Sequence, residues 1–557
     1  MMKGAAYMKP VSFIRKLTAA VLSCTLCCTG MTVPAFSEDG SAELPARFDW
    51  RDADPPILTP VKNQYGGTCW AYALIGCAES SLIKNGLTDC EIDLSESHLI
   101  WFCSGEPAPT DPDNPCYGSS EPYGTKAYRT VPRRGDFYPP IASLAAWQGV
   151  IRESDAPLHR EEQPLDESLR YQSLAHLQNA EVYDPSDMLT IKTQLMEKGA
   201  LFCGYYNDHD HPLSEQSGYY NSDYTKEKQN KGLLNGGPHA VVLVGWDDNY
   251  PKENFTAEPP GDGAWIIRNS YGENYKNSDH GYFYLSYYEE SFCDIRSLDF
   301  EPVTNYGAVH HYNSSQVIYY YPSSSSGYVT ANVFTAEKKE KIAAVGFFTD
   351  KPDTEYEISF YMLNAGFTNP EDGTLVAKLS GSEEHNGFHT LKLPQSLAVE
   401  TGQQYAVVLK TPLGACMFID EYCKEKGTSF YKIYTDGTAA GGKPRDWTDC
   451  FDVGVGDICI HVYTEYEGET AQILRGDMDR DGRLTAADLS LMKQAIREPV
   501  RSDLYQPAAD WNSDNEINAE DARGLLNYLL TTTKPAGKSI DEVWSMLAAS
   551  DFSNQSS

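Results

Sequence analysis

Gln64-Tyr65-Gly66-Gly67-Thr68-Cys69-Trp70 places a cysteine behind a two-glycine loop, at the point where a helical pattern begins. Downstream, Trp70, Ala73, Leu74, Cys77, Ala78 and Leu82 recur at the spacing of one buried helix face, and Gly86 stands where such a helix would end. The reading is a helix over 70–84 with Cys69 in its first turn. A free cysteine is usually a small core residue. At a helix N-terminus beside an imidazolium, however, a thiol pKa falls from about 8.5 toward roughly 3 to 7, and the expectation is a thiolate near neutral pH.

Working outward, Met188 to Lys198 repeats the helical pattern and stops at Gly199. Short apolar runs then take over, at Ala240 to Trp246, Ala264 to Arg268 and Gly281 to Tyr287, separated by Gly, Pro, Asp and Asn. Helices first and strands later predict an α+β domain with two segregated halves. Two of those runs carry polar residues of interest: Gly237-Pro238-His239-Ala240-Val241 opens one strand, and Arg268-Asn269-Ser270-Tyr271-Gly272 closes another. Cysteine, then histidine, then asparagine in that order resembles the papain-like cysteine peptidases, whose motif around the nucleophile lies near the start of the mature domain. Arg47-Phe48-Asp49-Trp50-Arg51, Leu94-Ser95-Glu96 and Gly149-Val150-Ile151 resemble further landmarks of that family, so the likeness spans residues 47 to about 300.

The resemblance implies a two-lobed domain in which Cys69 is the nucleophile, His239 its base and Asn269 the residue that orients the imidazole. It also implies an oxyanion hole from the Gln64 amide and the Cys69 backbone N–H, and substrate contacts from Leu201, Ala240 and Tyr271. Leu201 and Ala240 suggest an apolar preference at the second residue before the cleaved bond. Three positions depart from the family: Gly66 replaces a disulfide cysteine, Gln64 is five rather than six residues before Cys69, and Tyr271 replaces tryptophan. His239 follows Cys69 by 170 residues, against roughly 130 to 150 in the family. Insertions at 107–140, 158–185 and 207–235 are expected to account for the excess and to rim the cleft.

At 557 residues the chain has room for about three domains. Its net charge of -34 argues against nucleic acid and anionic membrane as partners. Lys3, Lys9, Arg15 and Lys16 precede a short apolar run, 17–29, that ends near Ala35 and Ser37, so residues 1–37 read as a secretory signal and the protein as extracellular or bound to a cell-surface scaffold. Arg47 follows so closely that synthesis without an inhibitory N-terminal segment is expected. Three of the fourteen cysteines lie in the leader. Of the other eleven, the ten besides Cys69 fall as six and four in two domains, which predicts disulfide bonds in both.

From about 305 helical periodicity disappears. Runs at 316–321, 342–348, 356–362, 404–409 and 458–463 predict an all-β sandwich over 305–467, resembling the lectin-like domain behind some bacterial papain-like peptidases. Carbohydrate is thus a possible ligand, although Tyr319, Tyr320 and Tyr321 read better as strand packing than as a sugar platform. Further on, Asp477, Asp479, Asp481, Arg483 and Asp488 occupy positions 1, 3, 5, 7 and 12 of a calcium loop with Gly482 at position 6. Asp510, Asn512, Asp514, Glu516 and Asp521 repeat the set 33 residues later, each copy followed by a helix. The pair, over 474–535, resembles a dockerin, a small α module that binds two calcium ions and a cohesin domain of a scaffolding protein; residues 536–557 read as tail.

The resulting expectation is a multidomain secreted cysteine endopeptidase that needs no cofactor for catalysis and hangs from a scaffold. An inactive papain-like binding module and a Cys-His-Asn acyl transferase are the rival readings. Asp208-His209-Asp210-His211 reads as a solvated loop rather than a metal site, and His310-His311 as a linker.

Overall fold

The helix that begins at Cys69 runs Cys69–Lys84 and is buried from Cys69 to Ile83, as befits a segment apolar on nearly every side. It belongs to a computed structural model that describes residues 44–103, 138–157, 165–312, 318–320, 324–420, 423, 425–435 and 446–466, with 476, 489, 492–493, 496, 509, 511 and 518–530 beyond them. Residues 1–43, Cys116 and every proposed calcium ligand except Asp521 lie outside the described residues. No helix among the described residues is long and apolar enough to cross a membrane.

Helices Cys69–Lys84, Glu96–Cys103 and Tyr138–Ala145 come before most of the strands. Helix Met188–Lys198 follows, capped by the Asp187 side chain on Thr190 N. Gly236–Asp247 is the axis of the N-terminal sheet, with Leu201–Asp208 antiparallel on one side and Ala264–Arg268 on the other. Tyr282–Ser286 extends the sheet, and Arg47–Asp49 pairs with the end of the axial strand near Trp246. The Arg47–Arg51 stretch anchors there: Asp49 is buried and takes Arg47 and Arg51, while the Trp50 indole donates to Leu195 O at 3.0 Å.

The β-rich half is a sandwich. One layer is the six-stranded sheet Gly373–Glu383, Thr354–Leu363, Gln404–Lys410, Ser326–Thr335, Ser429–Thr435 and Thr448–Asp449. Its Ile358, Phe360 and Val407 meet Ile342, Val345 and Phe347 of the opposite layer. That layer does not end at the domain boundary. Asn386–Val399 pairs with Ala175–Tyr183 of the N-terminal half, Gly387 opposite Glu181, so one thirteen-stranded sheet runs through both halves. A Cβ on Gly387, whose φ is +137°, would collide with Ala180 O, and glycine is the residue this approach permits.

Ala175–Tyr183 corrects the expectation that 158–185 is an insertion at the rim of the cleft: part of it is the seam strand. The 207–235 segment likewise holds the short strand Gly218–Tyr219 and helix Lys226–Asn230. In it Asp208 is buried rather than solvated and accepts the Asn221 side-chain amide at 3.1 Å. His310 is not a bare linker residue, since it ends strand Ala308–His310 and its Nε2 lies 2.9 Å from Glu340. Against the expectation, no disulfide joins the ten cysteines among the described residues. Cys77, Cys103, Cys203, Cys416, Cys450 and Cys459 are buried as small apolar core residues instead. In the C-terminal segment, helix Ala519–Leu530 follows Asn518, and Trp511 packs against Gly476 and Gly524.

Candidate active site

Cys69 is the first residue of its helix and is 7% exposed, held by a loop in which Thr68 Oγ1 donates to Tyr65 O at 2.6 Å. Burial pushes its thiol above the ordinary value, while backbone N–H groups of Ala240, Trp70 and Cys69 itself act the other way. Burial thus opposes the ionisation that the helix terminus and these N–H groups favour. The backbone hydrogen bond from Ala240 brings the sulfur beside the residue that follows His239.

His239 lies near the start of the axial strand, opposite Tyr205. Its Nε2 is 2.9 Å from Asn269 Oδ1, which also accepts Ser270 N–H at 2.8 Å. An oxygen only accepts, so Nε2 carries the hydrogen and the neutral ring leaves Nδ1 with its lone pair. Burial lowers His239 to about 4, with the Asn269 bond opposing the shift. Tyr271 stacks on the imidazole, centroids 4.7 Å apart and planes at 16°, with its hydroxyl 3.5 Å from Nδ1. With Nε2 donating to Asn269, Nδ1 is the acceptor nitrogen of the ring, and the Tyr271 hydroxyl lies at the outer limit of hydrogen-bond distance from it.

Gln64 is near but turned inward. Its Nε2 donates to Gly66 O at 2.7 Å, its Oε1 accepts from Ser270 Oγ at 2.7 Å, and its backbone N–H donates to Ser270 O. One amide hydrogen is thus committed within the loop and one is left for an oxyanion. Ala240 lies at the site. Leu201 does not: it is fully buried opposite Leu243, at the far end of the pairing from His239, and cannot line a subsite. Two residues went unassigned in the sequence reading: Ser270, which ties Gln64 to Asn269, and Asn207, whose amide donates to the Tyr271 hydroxyl at 3.5 Å. Ser270 lies inside the quoted motif; Asn207 carries no local signal.

Beneath the site is a buried charge network. Arg268, next to Asn269, donates to Thr59 O at 3.0 Å, and Thr59 Oγ1 donates to Glu79. Lys62 Nζ reaches Glu79 and Glu96, each at 2.9 Å, and the Leu94 carbonyl. Burial raises Glu96 to about 7 although Lys62 opposes the shift. The helix carries Gly76 where it crosses Arg268, because a Cβ there would collide with the guanidinium.

A helix presenting a cysteine to a histidine and an asparagine on an antiparallel sheet defines the papain-like class of cysteine peptidase. The sequence agrees: residues 44–303 match the papain family cysteine protease model, 309–464 the lectin like domain and 475–530 the dockerin type I domain. The chain therefore carries a papain-family protease domain, a lectin-like domain and a dockerin, in that order. It is 28% identical over 260 residues to a cysteine protease of Blomia tropicalis, covering 45% of this chain and 63% of that one. It is 30% identical over 249 residues to the viral cathepsin of Spodoptera litura multicapsid nucleopolyhedrovirus, covering 44% and 57%. The chain thus spans less than two thirds of the length of either relative. Among solved structures, the cysteine protease and lectin-like domains of Cwp84, a surface layer associated protein of Clostridium difficile, superpose with a TM-score of 0.55 at 21% identity, covering 76% of this chain and 90% of that one. The clostridial protease Cwp84 after propeptide cleavage gives 0.56 at 21% identity, over 76% and 99%. These two likenesses concern the fold.

Proposed function

We propose that the chain is a secreted endopeptidase that cleaves peptide bonds through Cys69, His239 and Asn269 and is held on a scaffold by its dockerin. The observation that carries this reading is the Asn269 bond, which loads Nε2 and leaves Nδ1 to take the Cys69 proton. The thiol proton passes to Nδ1, and the sulfur attacks the scissile carbonyl. The Cys69 N–H and the second Gln64 amide hydrogen receive the oxyanion; losing such a donor typically costs about a hundred- to a thousand-fold in turnover. Nδ1–H then protonates the leaving amine, and water hydrolyses the thioester with His239 again as base.

The domains are taken as 1–37, 45–302, 305–467, 474–535 and 536–557, from signal to tail. Calcium suits the dockerin loops. Asp521, the last residue of the second loop, is buried and its Oδ2 accepts Asn518 N–H at 2.9 Å; a carboxylate at that position supports the calcium reading. Asp477, Asp479, Asp481, Arg483 and Asp488, then Asp510, Asn512, Asp514, Glu516 and Asp521, would hold the two ions. Calcium would order the loops for a cohesin partner, and the lectin-like domain would bind carbohydrate.

The test is hydrolysis of casein and a fluorogenic peptide panel by the mature chain, beside Cys69→Ala and with a thiol-directed epoxide. Activity abolished by both supports the reading; activity that survives Cys69→Ala, or inactivity of the unmodified chain, overturns it.

A further inference from the structure

On the outer face of the six-stranded sheet is an open cleft of about 560 Å³. Strand alternation builds it. Ile358, Val407 and Leu409 point into the core between the layers, so Glu355, Glu357 and Lys410, on the intervening positions, point outward. The register sets Ser380 opposite Glu357 and Ser382 opposite Glu355, with Lys410 on the other flank of Glu357. Two rows of carboxylate and hydroxyl thus lie side by side, one of them extended by an ammonium group.

Tyr434 supplies an apolar surface beside those rows. Its hydroxyl donates to Thr411 O at 2.5 Å, and its ring lies against Gly327, where a Cβ would strike it. Lys410 Nζ stands 5.2 Å from the ring centroid. A ligand ring settling on Tyr434 therefore displaces an exposed lysine head, not a packed side chain. Glu357 is fixed from the side by Lys378 at 2.9 Å, so its carboxylate is oriented before any ligand arrives.

We propose that this cleft binds a neutral oligosaccharide, Tyr434 taking the C–H face of one sugar ring while Glu355, Glu357, Ser380, Ser382 and Lys410 bond its hydroxyls. Acceptors, donors and a flat apolar surface together match a polyol. Mixed charge in the cleft and a chain charge of -34 oppose polyanions. The cleft at the domain junction, by contrast, has its rings engaged: Trp147 stacks on His176 at 3.7 Å and Tyr312 on Phe334 at 5.0 Å.

The proposal rests on the carbohydrate reading of the lectin-like domain and is independent of the peptidase. The test is calorimetric titration of the full mature chain, with calcium, by cellohexaose, xylohexaose and chitohexaose. At least one should bind, and Tyr434→Ala and Glu357→Gln should each weaken it by about tenfold or more, the effect of losing one good contact. Peptide hydrolysis and thermal midpoint serve as controls for folding, and Ser382→Ala, an exposed change, replaces either variant that fails them. Binding unaltered by the variants, or no binding of any of the three sugars, overturns the proposal; inactivity toward peptides alone leaves it standing.

Discussion

Asn269 Oδ1 serves two N–H groups, one on His239 and one on Ser270, and that double acceptance fixes which imidazole nitrogen is free. With His239 lowered to about 4, the acid limb of kcat/KM is expected near pH 4, because below it the base is already protonated. The Asn269 bond favours the imidazolium, so Asn269→Ala should move that limb to lower pH while reducing kcat; a limb that moves upward contradicts the assignment. Lys62 is the other decisive residue. It is the cation facing Glu79 and Glu96, whose side chains are 0% and 4% exposed. Lys62→Met leaves both carboxyls buried without it, an expected loss of about 3 to 5 kcal/mol in denaturant unfolding.

At the scale of elements, the approach of helix Cys69–Lys84 to the sheet depends on Gly76. Gly76→Ala should push Arg268 aside and, through the adjacent Asn269, lower kcat more than it raises KM; unaltered kinetics would separate the two. The seam between the halves is equally local: Gly387→Val should break the pairing with Ala175–Tyr183 and turn one thermal transition into two by calorimetry. Helix and strand positions around Cys69, His239 and Asn269 were legible because each carries its periodicity and its chemistry within a few residues. Ala175–Tyr183 was not. Its Ala175, His176, Leu177 and Gln178 are all buried, so no alternation marks it, and its partner strands begin at Cys293, Asp299 and Asn386, far along the chain. Leu201 misled for a related reason: motif position suggested a subsite, but the register with Leu243 decides where the side chain goes. The burial that opposes ionisation of Cys69 was illegible as well, since helix position is written in the sequence and burial is not.

Across the whole molecule, His98, His176, His239 and His389 are each lowered to about 4 by burial, and His461 is lowered further. The unfolded chain takes up these protons near pH 6.5, before the folded one does, so stability should fall as pH drops from about 6.5 toward 4. Glu96, Glu289 and Glu383, raised by burial, act with opposite sign and offset part of the loss. Denaturant titrations at pH 7 and pH 5 check the balance, with lower stability at pH 5 expected.

The thirteen-stranded sheet also bears on where the thiol can act. Backbone pairing of residues 386–388 with 180–182 ties the protease half to the sandwich, so a polymer seated on the sandwich would hold Cys69 to one bearing. Cleavage along a coated surface would then follow the spacing of its sugars, as a ruler's marks do, rather than the reach of a tether.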